Sequence, residues 1–139
     1  MSTIDQCKIL DLQKIASRRG NITPVGGMDD ISFDIERIYY LFDVPGGSTR
    51  GGHAHKALEQ VLVAVMGALD VVLDDGERKK TIRLDRAYKG LYIPRLIWRE
   101  LENFSSGGIC LVLASLPYDE SDYYRDYREF LKAVEATNR

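Results

Sequence analysis

The chain reads as an all-β barrel with a short C-terminal helix. Two features of its 139 residues predict this architecture. Short apolar runs rich in β-branched and aromatic residues recur between positions 36 and 115, divided by glycine and proline clusters rather than by helical segments. The segment 119–139 is different. It has neither glycine nor proline, and Tyr123, Tyr127, Phe130 and Val134 recur at steps of four, three and four, which is a helical stripe.

In chain order, "ERIYYLFDV" (36–44) is a strand ended by the breaker cluster Pro45-Gly46-Gly47. "EQVLVAVMGALDVVLDDG" supplies two apolar runs around Gly67 and closes at Asp75-Gly76, a hairpin turn signal. "KKTIRLD" follows as the partner strand, and the basic run "ERKKTIR" reads as a solvated hairpin. "GLYIP" and "GGICLVLAS" are further short strands with glycine or proline punctuation. The terminal helix is expected to pack on the barrel or on a neighbouring subunit.

Hydrophobic residues make up 45% and charged residues 29%, as in an ordinary globular chain, and residues 1–139 are expected to form one domain. A net charge of −2 does not suit a nucleic-acid binder driven by bulk positive charge. The opening "MSTIDQCKILDLQKI" lacks a basic region followed by an apolar run, so no signal peptide is expected. No apolar stretch approaches the ~20 residues of a membrane span. Cys7 and Cys110 lie far apart in apolar contexts and read as buried thiols rather than a disulfide. The expected setting is cytoplasmic.

The chemistry concentrates in "GSTRGGHAHKALEQVLVAVMG" (47–67), which holds His53 and His55, the two histidines of the chain. Residues two apart on a strand share a face, so both imidazoles project the same way. With its glycines the segment resembles the first motif of the cupin superfamily, small jelly-roll barrels of RmlC-like form. Many of these bind a metal through two histidines, a glutamate and a further histidine from a second motif. The corresponding downstream segment is "GLYIPRLIWRELENFS". Pro94 and Asn103 occupy their places, but Leu96 stands at the glycine position and Arg99 at the histidine position. Arginine stays protonated, with a pKa above ~12, and offers no lone pair to a metal. Two imidazoles near an arginine instead suit proton abstraction beside a carbonyl.

The segments "RIYYLFD", "RGGHAHKALEQVLV", "LDDG", "GLYIPRLIWRE", "FSS" and "LVLAS…YDESDYYRDY" together resemble a particular cupin family, the dTDP-4-dehydro-6-deoxy-D-glucose 3,4-ketoisomerases, WxcM-like sugar-nucleotide enzymes. The resemblance implies a barrel without metal or other cofactor, usually a homodimer with exchanged N-terminal strands. The implied substrate is a dTDP-linked 4-keto-6-deoxy sugar, whose keto group moves from C4 to C3 ahead of amination. Such sugars enter O-antigen and other glycans. His53 and His55 match the family's catalytic pair, and Tyr39 matches an active-site tyrosine.

Arg37, two residues before Tyr39, shares its face. Arg37, Arg50 and Lys56 are the candidates for the diphosphate. Arg19 and Arg99 fall where members with different product stereochemistry at C4 differ. Arg99 resembles the gluco members and Arg19 the galacto members, and Arg99, nearer the histidines in motif order, favours gluco. Glu59 is a candidate for orienting a histidine, and Trp98 reads as core rather than as a stacking platform. The alternatives are a metal-dependent cupin enzyme, a 3,5-epimerase on the same class of sugar, and a non-catalytic sugar-nucleotide-binding module.

Overall fold

A computed structural model describes residues 2–138. A turn of 3-10 helix over Ile4–Gln6 leads into β1 (Lys8–Asp11), followed by a hairpin of β2 (Ile15–Ser17) and β3 (Gly20–Ile22). Then come β4 (Arg37–Leu41), β5 (Arg50–His55), β6 (Gln60–Met66), β7 (Leu69–Asp74) and β8 (Lys79–Leu84). The remaining strands are β9 (Lys89–Ile93), β10 (Trp98–Glu102), β11 (Ile109–Ala114) and β12 (Tyr123–Tyr124), and α1 (Tyr127–Thr137) ends the chain. The strands form two five-stranded antiparallel sheets, β1-β9-β6-β11-β4 and β12-β5-β10-β7-β8, with β2 and β3 paired apart from both.

The main core lies between the two sheets. Leu62, Ala64, Leu91, Ile93 and Val112 from the first sheet meet Val71, Leu73, Leu84 and Leu101 from the second. The run "VLVA" (61–64) of β6 has no polar alternation because it is buried on both faces. Leu62 and Ala64 point into the core, while Val61 and Val63 join Ile31, Phe33 and Leu113 on the outer side. β7 and β8 form the expected hairpin, with Asp75 at its turn accepting from the backbone N–H groups of Glu77 and Arg78. Between β6 and β7 the chain changes sheets at Gly67 (φ +68°). A Cβ there would lie 2.3 Å from Ser105 Oγ and 3.0 Å from Gly108 Cα, so only glycine fits the crossover. Cys7 and Cys110 are free and buried, as expected. Burial pushes their thiols up to about 11 and about 12.

The terminal helix is shorter than its stripe suggests. Asp119 caps a 3-10 turn over Glu120–Asp122, and Tyr123 and Tyr124 then pair with His55 and Ala54 as strand β12. Helix α1 starts only where Asp126 accepts from the N–H groups of Arg128 and Glu129. Its face packs Phe130 and Val134 on Ala54, Leu96 and Trp98, so Trp98 is core, on the outer side of the second sheet.

Leu96 keeps a glycine-like backbone. Its φ is +61°, its side chain is buried in the helix-covered cluster, and its N–H donates to the His55 carbonyl at 2.8 Å. A left-handed leucine costs about 1–2 kcal/mol, offset here by side-chain burial and by that hydrogen bond.

Candidate active site

Alternation along three strands sends polar side chains into the barrel. From β4 come Arg37 and Tyr39, from β5 His53 and His55, and from β10 Arg99, whose neighbours Trp98 and Glu100 face the other way. Arg99 pairs with His53 in register across β5 and β10. A cavity of about 880 Å3 opens here, lined by Arg37, Tyr39, Arg50, His53, Gln60 and Arg99 and walled on one side by Tyr123 and Arg125. It has the size of a small-molecule or cofactor site.

The two histidines play different geometric parts. His53 lines the cavity and is half-buried, whereas His55 is fully buried. Their Nε2 atoms are 3.1 Å apart and the rings meet edge to face. The Tyr123 ring covers His55, with centroids 4.4 Å apart. On its far side, His55 Nδ1 lies 3.1 Å from Asp122 Oδ2. Burial first, then the positive charge of Arg99, holds the His55 imidazole far below its ordinary range, at about 2. These effects outweigh the attraction of the Asp122 carboxylate, so His55 is neutral at physiological pH.

Arg99 is itself buried, at 2% exposure. Its Nε and Nη2 donate to the Ile97 carbonyl and its Nη1 to Gln60 Oε1, which leaves Gln60 Nε2 to donate to the Tyr39 hydroxyl oxygen at 2.9 Å. Burial lowers the Arg99 pKa to about 10, so it remains a cation at neutral pH. The Tyr39 phenol is pushed up by its own burial, with Arg99 acting against the shift. Its oxygen accepts from Gln60, so its O–H is directed elsewhere. Arg37 stacks on the rings of Tyr39 and Tyr118, and its buried Nη1 has no hydrogen-bond acceptor among the described residues.

Two expected site residues are elsewhere. Lys56 follows His55, so alternation turns it to the outer side, over the Tyr124 ring. Arg19 sits in the turn of the β2–β3 hairpin, exposed and outside the lining of this cavity. Glu59 does not orient a histidine. Strand β5 ends at His55, and Glu59 instead accepts from the Tyr92 hydroxyl.

Asp122, Tyr123, Arg125 and Gln60 escaped the sequence reading. Asp122 stands 67 positions from His55, and no local spacing signals that distance. The stripe that assigned Tyr123 to a helix concealed its place on the histidines. A divalent ion does not suit this donor set: Asp122 holds one nitrogen of His55, the other faces His53, and a guanidinium stands where a third imidazole would be needed.

The family model described as "FdtA: WxcM-like, C-terminal" matches residues 5–135. The TDP-4-oxo-6-deoxy-alpha-D-glucose-3,4-oxoisomerase of Aneurinibacillus thermoaerophilus is 44% identical over 131 residues, 94% of each chain. A histidine-to-asparagine mutant of the 3,4-ketoisomerase QdtA from Thermoanaerobacterium thermosaccharolyticum, in complex with TDP-4-keto-6-deoxyglucose, superposes with a TM-score of 0.92 at 39% identity, covering 94% of each chain. The WlaRB TDP-quinovose 3,4-ketoisomerase from Campylobacter jejuni superposes with a TM-score of 0.89 at 46% identity, covering 93% of this chain and 99% of its own.

Proposed function

The chain belongs to the FdtA (WxcM-like, C-terminal) family and is a TDP-sugar 3,4-ketoisomerase, and from that premise we propose that it converts TDP-4-keto-6-deoxyglucose to the 3-keto sugar by proton transfer at His53. The observation that carries the mechanism is the histidine pair: one imidazole is open to the cavity and the other is locked neutral behind it.

In this reading His53 removes the proton on C3. The C3–H electron pair becomes the C3=C4 bond of an enediolate, and the former carbonyl oxygen takes the charge. Delivery to C4 of a proton from His53, after exchange with solvent, while the C3 hydroxyl passes its own to the former carbonyl oxygen gives the 3-keto product with no net loss or gain of protons. The Tyr39 hydroxyl relays the proton between the two oxygens, because Gln60 holds its oxygen and leaves its O–H to the cavity. Arg99 supplies fixed positive charge for the enediolate. Arg37 and Arg50 take the diphosphate, a reading supported by the unpaired buried Nη1 of Arg37. Arg99 within the cavity favours a gluco product, which then feeds amination at C3.

The working unit in this proposal is a homodimer with exchanged N-terminal strands. Among the described residues the β2–β3 hairpin pairs only with itself, and it exposes Ile15 and Ile22 at 46% and 64%. A partner subunit that covers these isoleucines brings Arg19 to a second cavity. In this proposal the protein works in the cytoplasm as a biosynthetic enzyme; among the described residues no helix is long and apolar enough to cross a membrane.

The test is a proton NMR time course of TDP-4-keto-6-deoxyglucose with EDTA-treated protein in D2O. Deuterium at C4 with accumulation of a 3-keto sugar is expected, and reduction of the product followed by ring couplings gives its configuration. Exchange at C5 would indicate a 3,5-epimerase, and absence of both exchange and a 3-keto product would remove the isomerase mechanism.

A further inference from the structure

We propose that Asp122 is a positioning residue that holds His55 as the Nδ1–H tautomer and so turns the His55 Nε2 lone pair toward His53. The proposal rests on the reading of His53 as the proton-transferring group.

Asp122 Oδ1 accepts from the Ala57 N–H at 2.8 Å, and Oδ2 accepts from the Leu58 N–H at 3.3 Å. Both oxygens therefore serve as acceptors, and the His55 nitrogen 3.1 Å from Oδ2 must present a proton. A neutral imidazole with its proton on Nδ1 carries its lone pair on Nε2. His53 Nε2, 3.1 Å away, then donates, which leaves Nδ1 as the basic nitrogen of His53. When the C3–H bond breaks and its proton goes to His53 Nδ1, the new cation keeps its Nε2–H on the His55 lone pair. The orientation is thus set before the reaction rather than during it.

Every charged group around His55 is consistent with this order. Arg99 from β10, Arg37 from β4 and Arg125 beyond β12 all oppose a proton on His55, as does His53 itself, and among the described residues Asp122 is the carboxylate that touches it. The carboxylate is fixed from several directions. Besides the two N–H groups on its oxygens, the Asp122 carbonyl accepts from the Lys56 N–H at 2.8 Å. Tyr123 and Tyr124, immediately after it, pair with β5. The fold therefore spends a separate strand on bringing this one side chain to the back of His55.

The chain has only two histidines, which makes the tautomer directly readable. Protein labelled with 15N-histidine gives two imidazole spin systems, assigned by comparison with His53→Asn. In the wild type His55 is expected with a protonated Nδ1 and a bare Nε2. In Asp122→Asn an amide cannot serve both backbone N–H groups and the imidazole N–H as an acceptor. His55 is then expected to shift wholly or partly to the Nε2–H form, with kcat reduced about 10²-fold and KM and TDP affinity within about threefold. An Nε2–H tautomer in the wild type overturns the proposal without any variant, even if Asp122→Asn fails to fold. A His55 spectrum unchanged by Asp122→Asn, or an unchanged kcat, overturns it too. Because the spectrum needs no turnover, wild-type protein inactive on TDP-4-keto-6-deoxyglucose would sink the functional reading separately from the positioning of His55.

Discussion

The Nε2 atoms of His53 and His55 lie 3.1 Å apart and share one hydrogen bond, so the two rings act as a unit in which one donates and the other accepts. Only His53 lines the cavity. The pair is thus built in depth, with His53 toward substrate and His55 behind it.

Each ring is therefore essential, and their losses do not add. His53→Asn and His55→Asn are each expected to cut kcat by ~10² or more, while TDP affinity stays within about twofold. The double variant is expected to be little worse than His53→Asn alone, because both substitutions break the same unit. Steady-state kinetics with TDP titration checks this, and near-normal activity in either single variant removes that residue from the mechanism.

The cations near the histidine strand separate by location. Arg50 lines the cavity, and Arg50→Ala is expected to raise KM about tenfold, the loss of one charge-assisted phosphate contact. Lys56 faces outward over Tyr124, so Lys56→Ala is expected to leave KM within about twofold. Equal effects of the two substitutions would move the diphosphate to the other face of β5.

His55 makes stability pH-dependent. Its imidazole is depressed in the folded protein, to about 2, against an ordinary value near 6.5. Below pH ~6.5 the unfolded chain binds a proton that the folded chain does not. Stability is therefore full above that pH and falls as pH drops, by about 1.4 kcal/mol per unit and about 2 kcal/mol by pH 5. Urea denaturation at pH 7 and pH 5 measures the slope, which His55→Asn is expected to flatten. An equal slope in the variant assigns the loss to other groups.

Leu96 balances burial against backbone strain. Leu96→Gly recovers about 1–2 kcal/mol of left-handed strain but gives up about 2–3 kcal/mol of side-chain burial against the helix. A net loss of about 1 kcal/mol is expected in denaturant titration. A stabilised variant would show that strain outweighs packing at this turn.

The exposed hairpin tests the assembly. Ile22→Arg places a charge on the most exposed isoleucine of β2–β3 and is expected to shift sedimentation from dimer to monomer. A wild-type protein that already sediments as a monomer would remove the strand exchange and, with it, the route of Arg19 to a cavity.

Within single elements the sequence was a reliable guide, because side-chain direction there follows from backbone periodicity. The two-residue spacing put His53 and His55 on one face, and likewise Arg37 and Tyr39. The turn at Asp75-Gly76 and the apolar runs on either side of Gly67 are where they were expected. The same periodicity argues against Lys56, which directly follows a histidine on its strand and so faces away. Its choice as a phosphate ligand rested on proximity in sequence.

What the sequence by itself determined is the all-β class and the histidine pair, read from residue type and short-range spacing, and, through its resemblance to the cupin motifs, the arginine at the place of a metal-binding histidine. Only the tertiary structure decided that His55 lies behind His53, that Asp122 rather than Glu59 holds it, that Tyr123 leaves the helical stripe to cover it, and that Arg19 lies away from its own cavity. Those outcomes depend on which distant strands meet. Such pairings come from packing two sheets and a helix together, which no local period encodes.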